Sequence, residues 1–381
     1  MPDRAPHLVA CVAHHGWGHL AQTVPMIGAL RARLPGLRVT VRTGLPPALV
    51  ATRFETAGQP VPAISADGTE FGFMMHDALR VDDDASVARY LALHADRARL
   101  LDRERAVLRG LRADLVLANI GWLPLAAAAS LGLPAFGASS LNWADVLEGR
   151  GARAQGLGSV VDWMRTCYAQ ADVLFALEPG MPFDGFERRR RVPPIARRAA
   201  PRPAALRAAL GAPAETKVMM IAFGGLRLDI DTRAWRLPEG WRAVTLTEGG
   251  VDSATVRRGE SLGWAYIDLL ASCDLLVAKP GYGTFAEAGF ASRDTLAVPR
   301  TDWPEAPFLQ RWLERHARCA SIGLEALRAG DFDGPLAALQ AQPARPPAHG
   351  DGAAEIAEAM ARRLGAAAGV RPRGTGAPTP G

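Results

Sequence analysis

Lysine is nearly missing. Of 44 basic residues only Lys217 and Lys279 are lysines, and with abundant alanine this points to a high-GC genome rather than to a function. Cysteine is scarce too. Cys11, Cys167, Cys273 and Cys319 show no metal-ligand spacing, which argues against a disulfide scaffold or a Cys-x-x-Cys zinc site and for reduced, buried thiols. Long apolar runs are lacking. The longest, Leu123 to Ala138, is broken by Pro124 and Pro134 and falls short of the ~20 residues of a membrane helix. The run Leu8 to Ala13 is too short for a signal-peptide core. A soluble, cytoplasmic protein is expected. A global charge excess is also lacking. The net charge is +5, but the eight arginines between Arg188 and Arg207 carry +8, so the remainder is −3. No nucleic-acid partner is expected of such a distribution. Apolar residues at 49% and charged residues at 22% exclude a mainly disordered chain.

What is present is a globular chain of 381 residues, enough for two domains. Short apolar strand patterns (Leu8–Ala13, Arg38–Arg42, Leu115–Ala118, Pro134–Ala138) alternate with helical ones (Leu20–Leu34, one long helix over Ala85–Leu111, Trp122–Leu131). That order predicts a parallel sheet covered by helices. Residues 179–213, rich in Pro and Arg, read as a linker between domains at 1–178 and 214–366. The second domain restarts the alternation at Lys217–Phe223, and residues 367–381 read as a disordered tail. In such α/β folds ligands bind beyond the C-terminal strand ends, where loops meet helix N-termini.

Three segments fall at such places. His14-His15-Gly16-Trp17-Gly18-His19 follows the first strand. Gly16 and Gly18 permit a tight turn, and a neutral His19 at a helix start can accept a proton. The bland alternative is a capping histidine. No carboxylate lies at metal-ligand spacing from this cluster. Phe223-Gly224-Gly225 ends the first strand of the second half, offering backbone N–H groups to phosphate. Lys279-Pro280-Gly281-Tyr282-Gly283-Thr284-Phe285-Ala286-Glu287 again runs from strand to helix. There the amides Gly283–Phe285 can meet phosphate, Thr284 can cap the helix, and Glu287 can close a capping box or bind ribose hydroxyls. Neither the phosphate loop G-x-x-x-x-G-K-[ST] nor G-x-G-x-x-G is present. Further on, Asp302 and Glu305 can bind sugar hydroxyls and Trp303 can stack on a sugar, or the segment is a polar turn.

Together these motifs resemble the two-Rossmann-domain GT-B glycosyltransferases. They are most similar to the bacterial family that adds N-acetylglucosamine to lipid-linked muramoyl-pentapeptide. Asp274 to Leu313 also resembles the transferase-like N-terminal domain of plant L-arabinokinase. The resemblance implies two Rossmann-like α/β domains whose parallel sheets face across a cleft. It implies an acceptor side at Gly16, Gly18 and Asn142, with His19 as the catalytic base. It further implies donor phosphates on Gly224, Gly225, Gly283 and Thr284, ribose on Glu287, and donor sugar on Asp302 and Glu305. Lys279 and Glu305 depart from the family's usual arginine and glutamine, so neither the sugar nor the base is carried over.

The implied activity is an inverting, metal-independent hexosyl or N-acetylhexosaminyl transfer from a nucleotide-diphosphate sugar. A UDP-sugar is the expected donor, an unknown hydroxyl the acceptor, and no cofactor is called for. The competing readings are a nucleotide-sugar epimerase and a non-catalytic nucleotide-sugar-binding protein. Asp229-Ile230-Asp231 and Asp82-Asp83-Asp84 are patterns that can chelate a divalent cation, although acids also favour helix starts. Arg188, Arg189, Arg190 and Arg191 read as a solvated linker, as a contact with an anionic inner-membrane surface, or as a phosphate clamp. Phe71–Asp77 reads as an acceptor wall or as core, with Asp77 a candidate to orient His19.

Overall fold

The computed structural model describes residues 4–68, 70–77, 79–224 and 230–367. Gly225 and Asp229, and the tail beyond Ala367, lie outside the described residues. Two sheets carry the chain. The first holds β1 (His7–Val12), β2 (Arg38–Arg42), β3 (Ala63–Ser65), β4 (Leu115–Asn119), β5 (Ala135–Ser139), β6 (Val173–Leu177) and β7 (Arg189–Val192). Their order is β3-β2-β1-β4-β5-β6-β7. The second holds β8 (Lys217–Ile221), β9 (Trp241–Thr245), β10 (Val256–Arg258), β11 (Leu275–Ala278), β12 (Asp294–Ala297) and β13 (Cys319–Ser321), in the order β10-β9-β8-β11-β12-β13. All these pairings are parallel. Central strands read as continuous apolar runs because helices cover both faces: every residue of β1, β4 and β11 is buried.

In both sheets the strand order reverses beside the first strand, between β1 and β4 and between β8 and β11. A crevice opens at such a point, because successive connections leave to opposite sides. Register places Val12 opposite Asn119, so the loop after β1 and the last residue of β4 share one edge.

Several expectations change here. The long helix is two, Asp83–Leu93 and Arg97–Leu111. The break falls at Asp96, whose side chain accepts from the Arg99 amide at 3.0 Å and starts a new helix. Asp82 likewise caps the first of them, accepting from the Ala85 amide at 3.0 Å, and Asp83 pairs with Arg150. The 179–213 segment contains β7, an arginine-rich edge strand paired with β6, and a short helix, Pro203–Ala209. The helix Gly352–Ala367 leaves the second half and packs along the helix Gly18–Arg33 and against β7. Ile356, Ala357 and Met360 carry its buried face, and Arg190 reaches Glu355 at 3.1 Å. Other arginines of the basic segment are also paired: Arg189 with Asp184 and Arg202 with Asp268. Among the described residues, no helix is long and apolar enough to cross a membrane.

Gly72 shows how tightly the floor beneath the histidine loop is packed. Its φ is +72°, and a Cβ there would lie 2.5 Å from His15 Cβ and 2.8 Å from Trp143 Cη2. Gly72→Ala is expected to cost about 1–3 kcal/mol of stability by overpacking and backbone strain, read as a lower urea midpoint at unchanged slope.

Candidate active site

A cleft of about 400 Å³ lies between the two switch points. From the first sheet it is lined by His15, Gly16, Gly18, His19, Gln22 and Ser140. From the second come Gly224, Lys279, Gly281, Gly283, Thr284, Glu287, Arg300, Trp303 and Glu305. Trp17 and Arg53 stand at its rim, the guanidinium 5.4 Å from the indole.

His19 sits in the first turn of the helix Gly18–Arg33 and is buried. Its Nδ1 lies 2.7 Å from Asn119 Oδ1. The Asn119 amide group in turn donates to Gln22 Oε1 at 2.9 Å and to the His19 carbonyl at 3.3 Å, which sets the amide's orientation. With Oδ1 as acceptor, Nδ1 must carry the proton, so Nε2 keeps its lone pair. Burial pushes the imidazole pKa down to about 4, and the bond to Asn119 opposes this. His19 is therefore neutral at physiological pH. The largest cause is desolvation of the buried ring. Asp77 plays no part, since its carboxylate accepts from the Leu79 and Arg80 amides and from Arg80 Nε.

His15 takes a different role. Its ring stacks on Trp303 at 5.4 Å and 11°, meets Trp143 edge-on, and is kept neutral by burial, with its pKa pushed down to about 3. It joins the two halves of the cleft wall. Phe73 touches this cluster, while Phe71 packs on Tyr90 in the core.

Opposite, the helix Tyr282–Phe290 begins after β11. Its N-cap is Gly281, with no side-chain cap, so Thr284 lies inside the first turn rather than capping it. The first intrahelical bond runs from the Phe285 amide to the Gly281 carbonyl at 2.9 Å. The amides of Tyr282, Gly283 and Thr284 precede it and present the positive helix end to the cleft. Phe285, grouped with these amides on sequence, is therefore spent on the helix. Gly224 adopts φ +75°, and nothing lies within 4 Å of the position of a Cβ there.

Glu287 is buried, and its Oε1 accepts from Arg197 Nε at 2.7 Å, so it closes no capping box. Burial pushes its carboxyl up against the pull of Arg197. Glu305 is buried as well. Its Oε2 accepts from Trp303 Nε1 at 3.1 Å, its Oε1 has no hydrogen-bond partner, and burial raises its pKa. Lys279, at the end of β11, is pushed down to about 7 by burial and then by Arg300.

Two expected site residues stand apart from the lining. Asn142 caps the helix Trp143–Gly149, accepting from the Asp145 amide at 2.8 Å and donating to its carboxylate, which uses both ends of its amide. Asp302 Oδ2 lies 3.4 Å from the Val81 amide and 3.5 Å from Arg150 Nη1, behind the wall. Asn119, Gln22 and Arg300 were not singled out from sequence. A polar residue closing a buried strand at the switch point was the available signal for Asn119. Among the described residues no group of three or more His, Cys, Asp or Glu side chains is placed to hold a metal. Asp231 is bound up with Arg233.

This architecture has known counterparts. The calicheamicin glycosyltransferase CalG4 superposes with a TM-score of 0.58 at 19% identity, over 97% of this chain and 96% of that one. UGT89C1 of Arabidopsis thaliana, solved with quercetin, gives 0.60 at 16% identity over 95% and 100%. The fold is GT-B. No protein-family model matches the chain. In sequence it is 27% identical over 328 residues to L-arabinokinase of Arabidopsis thaliana, covering 84% of this chain. It spans only 31% of that protein's length. The two halves of the GT-B cleft are thus the histidine loop on one side and the uncapped helix start on the other.

Proposed function

We propose that the protein is a glycosyltransferase that moves a sugar from a nucleotide-diphosphate sugar to an acceptor hydroxyl, with inversion and without a metal. The observation that carries this reading is the juxtaposition across one cleft of a neutral, oriented His19 and the uncapped helix start at Tyr282–Thr284. A base on one wall and an anion cradle on the other are what an in-line displacement at an anomeric carbon requires. The glycosyltransferase neighbours support it, UGT89C1 having also been solved with UDP.

In the reaction the acceptor oxygen attacks the anomeric carbon as its proton passes to His19 Nε2. The bond from that carbon to the diphosphate oxygen breaks, and the electron pair leaves with the diphosphate. The amides of Tyr282, Gly283 and Thr284, the Gly224 turn and the Lys279 ammonium face the charge that develops there. Gly225 belongs to this reading by its place in the sequence. Glu287 takes the ribose hydroxyls with its carboxylate pinned by Arg197. Glu305 takes a hydroxyl of the sugar, with Trp303 held beside it. Imidazolium formation on buried His19 is offset by the negative charge released within the same cleft.

The test is thermal unfolding against UDP, dTDP, GDP, ADP and their sugars, with and without EDTA. A ligand at 100 times its Kd adds about 2.7 kcal/mol of stability. A rise in Tm with one diphosphate, unchanged by EDTA and lost in Glu287→Ala, is the expected result. No rise with any of them refutes the proposal. A product that is still a nucleotide sugar identifies an epimerase instead.

A further inference from the structure

One cation in the cleft is left in an unusual state. Arg300 follows β12, its side chain is 6% exposed, and it lines the cleft. Its Nε and Nη2 have no hydrogen-bond partner. Those two N–H groups form one edge of the guanidinium, the parallel pair that grips an oxyanion two-pronged. The nearest acid, Asp302, holds Oδ1 3.7 Å from Nε, beyond hydrogen-bond range, and its Oδ2 faces Val81 and Arg150. Asp302 therefore balances charge from a distance and leaves the fork empty. Buried donors stay unbonded at a cost unless a ligand completes them.

The position of the fork selects the ligand. The nucleotide phosphates already have the helix start at Tyr282 and the Gly224 turn. Arg300 lies one strand over, its guanidinium carbon 4.2 Å from the Trp303 ring centre, and Trp303 stacks on His15, four residues from the base. This is the end of the cleft where the transferred sugar must sit. Glu305, bonded to Trp303, keeps Oε1 unpartnered for a sugar hydroxyl. A sugar hydroxyl offers the fork one neutral acceptor oxygen, whereas a carboxylate offers two charged oxygens spaced for both N–H groups. We propose that Arg300 reads a carboxylate on the transferred sugar, so that the donor is a nucleoside-diphosphate uronic acid. This rests on the transferase reading above.

Calorimetric titration with UDP, UDP-glucose, UDP-galactose, UDP-glucuronate and UDP-galacturonate tests it. One uronate is expected to bind at least about tenfold more tightly than its neutral parent, as suits a charge-assisted pair of hydrogen bonds. In Arg300→Lys, which keeps the charge but loses the fork, that preference is expected to collapse to within about threefold while UDP affinity stays unchanged. Equal binding of uronates and neutral parents overturns the proposal. So does an equal loss of affinity for all five ligands in Arg300→Lys, which assigns the fork to the diphosphate. No binding of any of the five, together with no thermal stabilisation by UDP, dTDP, GDP or ADP, refutes the transferase reading itself, a result distinct from the first two; where another base stabilises, the same titration is made with its uronates.

Discussion

Replacing His19 with alanine is expected to cut turnover by about 10²–10⁴-fold, the range for a positioned general base. Nucleotide binding is expected to survive, because the groups proposed to face the phosphates, Gly224 and Tyr282 to Thr284, belong to the loop after β8 and the helix after β11, across the cleft. Steady-state rates and calorimetry on the same preparation separate the two effects. Loss of binding along with rate would show that His19 holds the site together instead of taking a proton. An unchanged rate would remove it from the chemistry. The pH profile is a second readout. On the proposed mechanism the neutral imidazole is the active form, so activity is expected to fall as pH drops through its pKa. With that pKa pushed down to about 4, the acid limb of kcat/KM is expected well below the ordinary histidine value of 6.5.

Asn119 carries the second large effect. It is fully buried and touches His19 and Gln22 through both ends of its amide. Asn119→Leu removes the acceptor that fixes the Nδ1 proton, leaving the tautomer and ring orientation free. A loss of about two to four orders of magnitude in kcat is expected, by the logic of a base whose tautomer is no longer held. Asn119→Asp separates positioning from packing. The new carboxylate still accepts from Nδ1–H but adds a negative charge against the ring, which favours the imidazolium. The acid limb of kcat/KM is expected to move up by about one to three pH units relative to wild type. A limb that stays put would mean that His19 is not the titrating base.

Local sequence signals carried much of the architecture. The strand run Leu115–Ala118 and the helix from Trp122 were legible to within a residue, because a strand buried on both faces is continuously apolar and a helix repeats near 3.6. Other elements were hidden. An edge strand needs hydrogen bonds on one side only and tolerates charge, so Arg189–Val192 looked like linker. Asp96 lies inside the single helical pattern expected over Ala85–Leu111, although its side chain divides that pattern in two. Thr284 read as a cap because it stands where a strand gives way to a helix, but the backbone turns helical at Tyr282, one residue after Gly281.

Sequence alone therefore determined the two α/β halves, the glycine turns at the strand ends and the loops that line the cleft. Those are short-range properties, set by side-chain period and by backbone freedom at glycine. The tertiary structure decided which side chains work together. His19 meets Asn119 across a hundred residues because β1 and β4 are neighbours at the switch point. Asn142 was spent on a helix start and Asp302 on the Val81 amide and Arg150. Arg300 was left with two empty donors, a property of everything that failed to come within reach of it. Such pairings and vacancies depend on strand order and on burial, which no local pattern along the chain encodes.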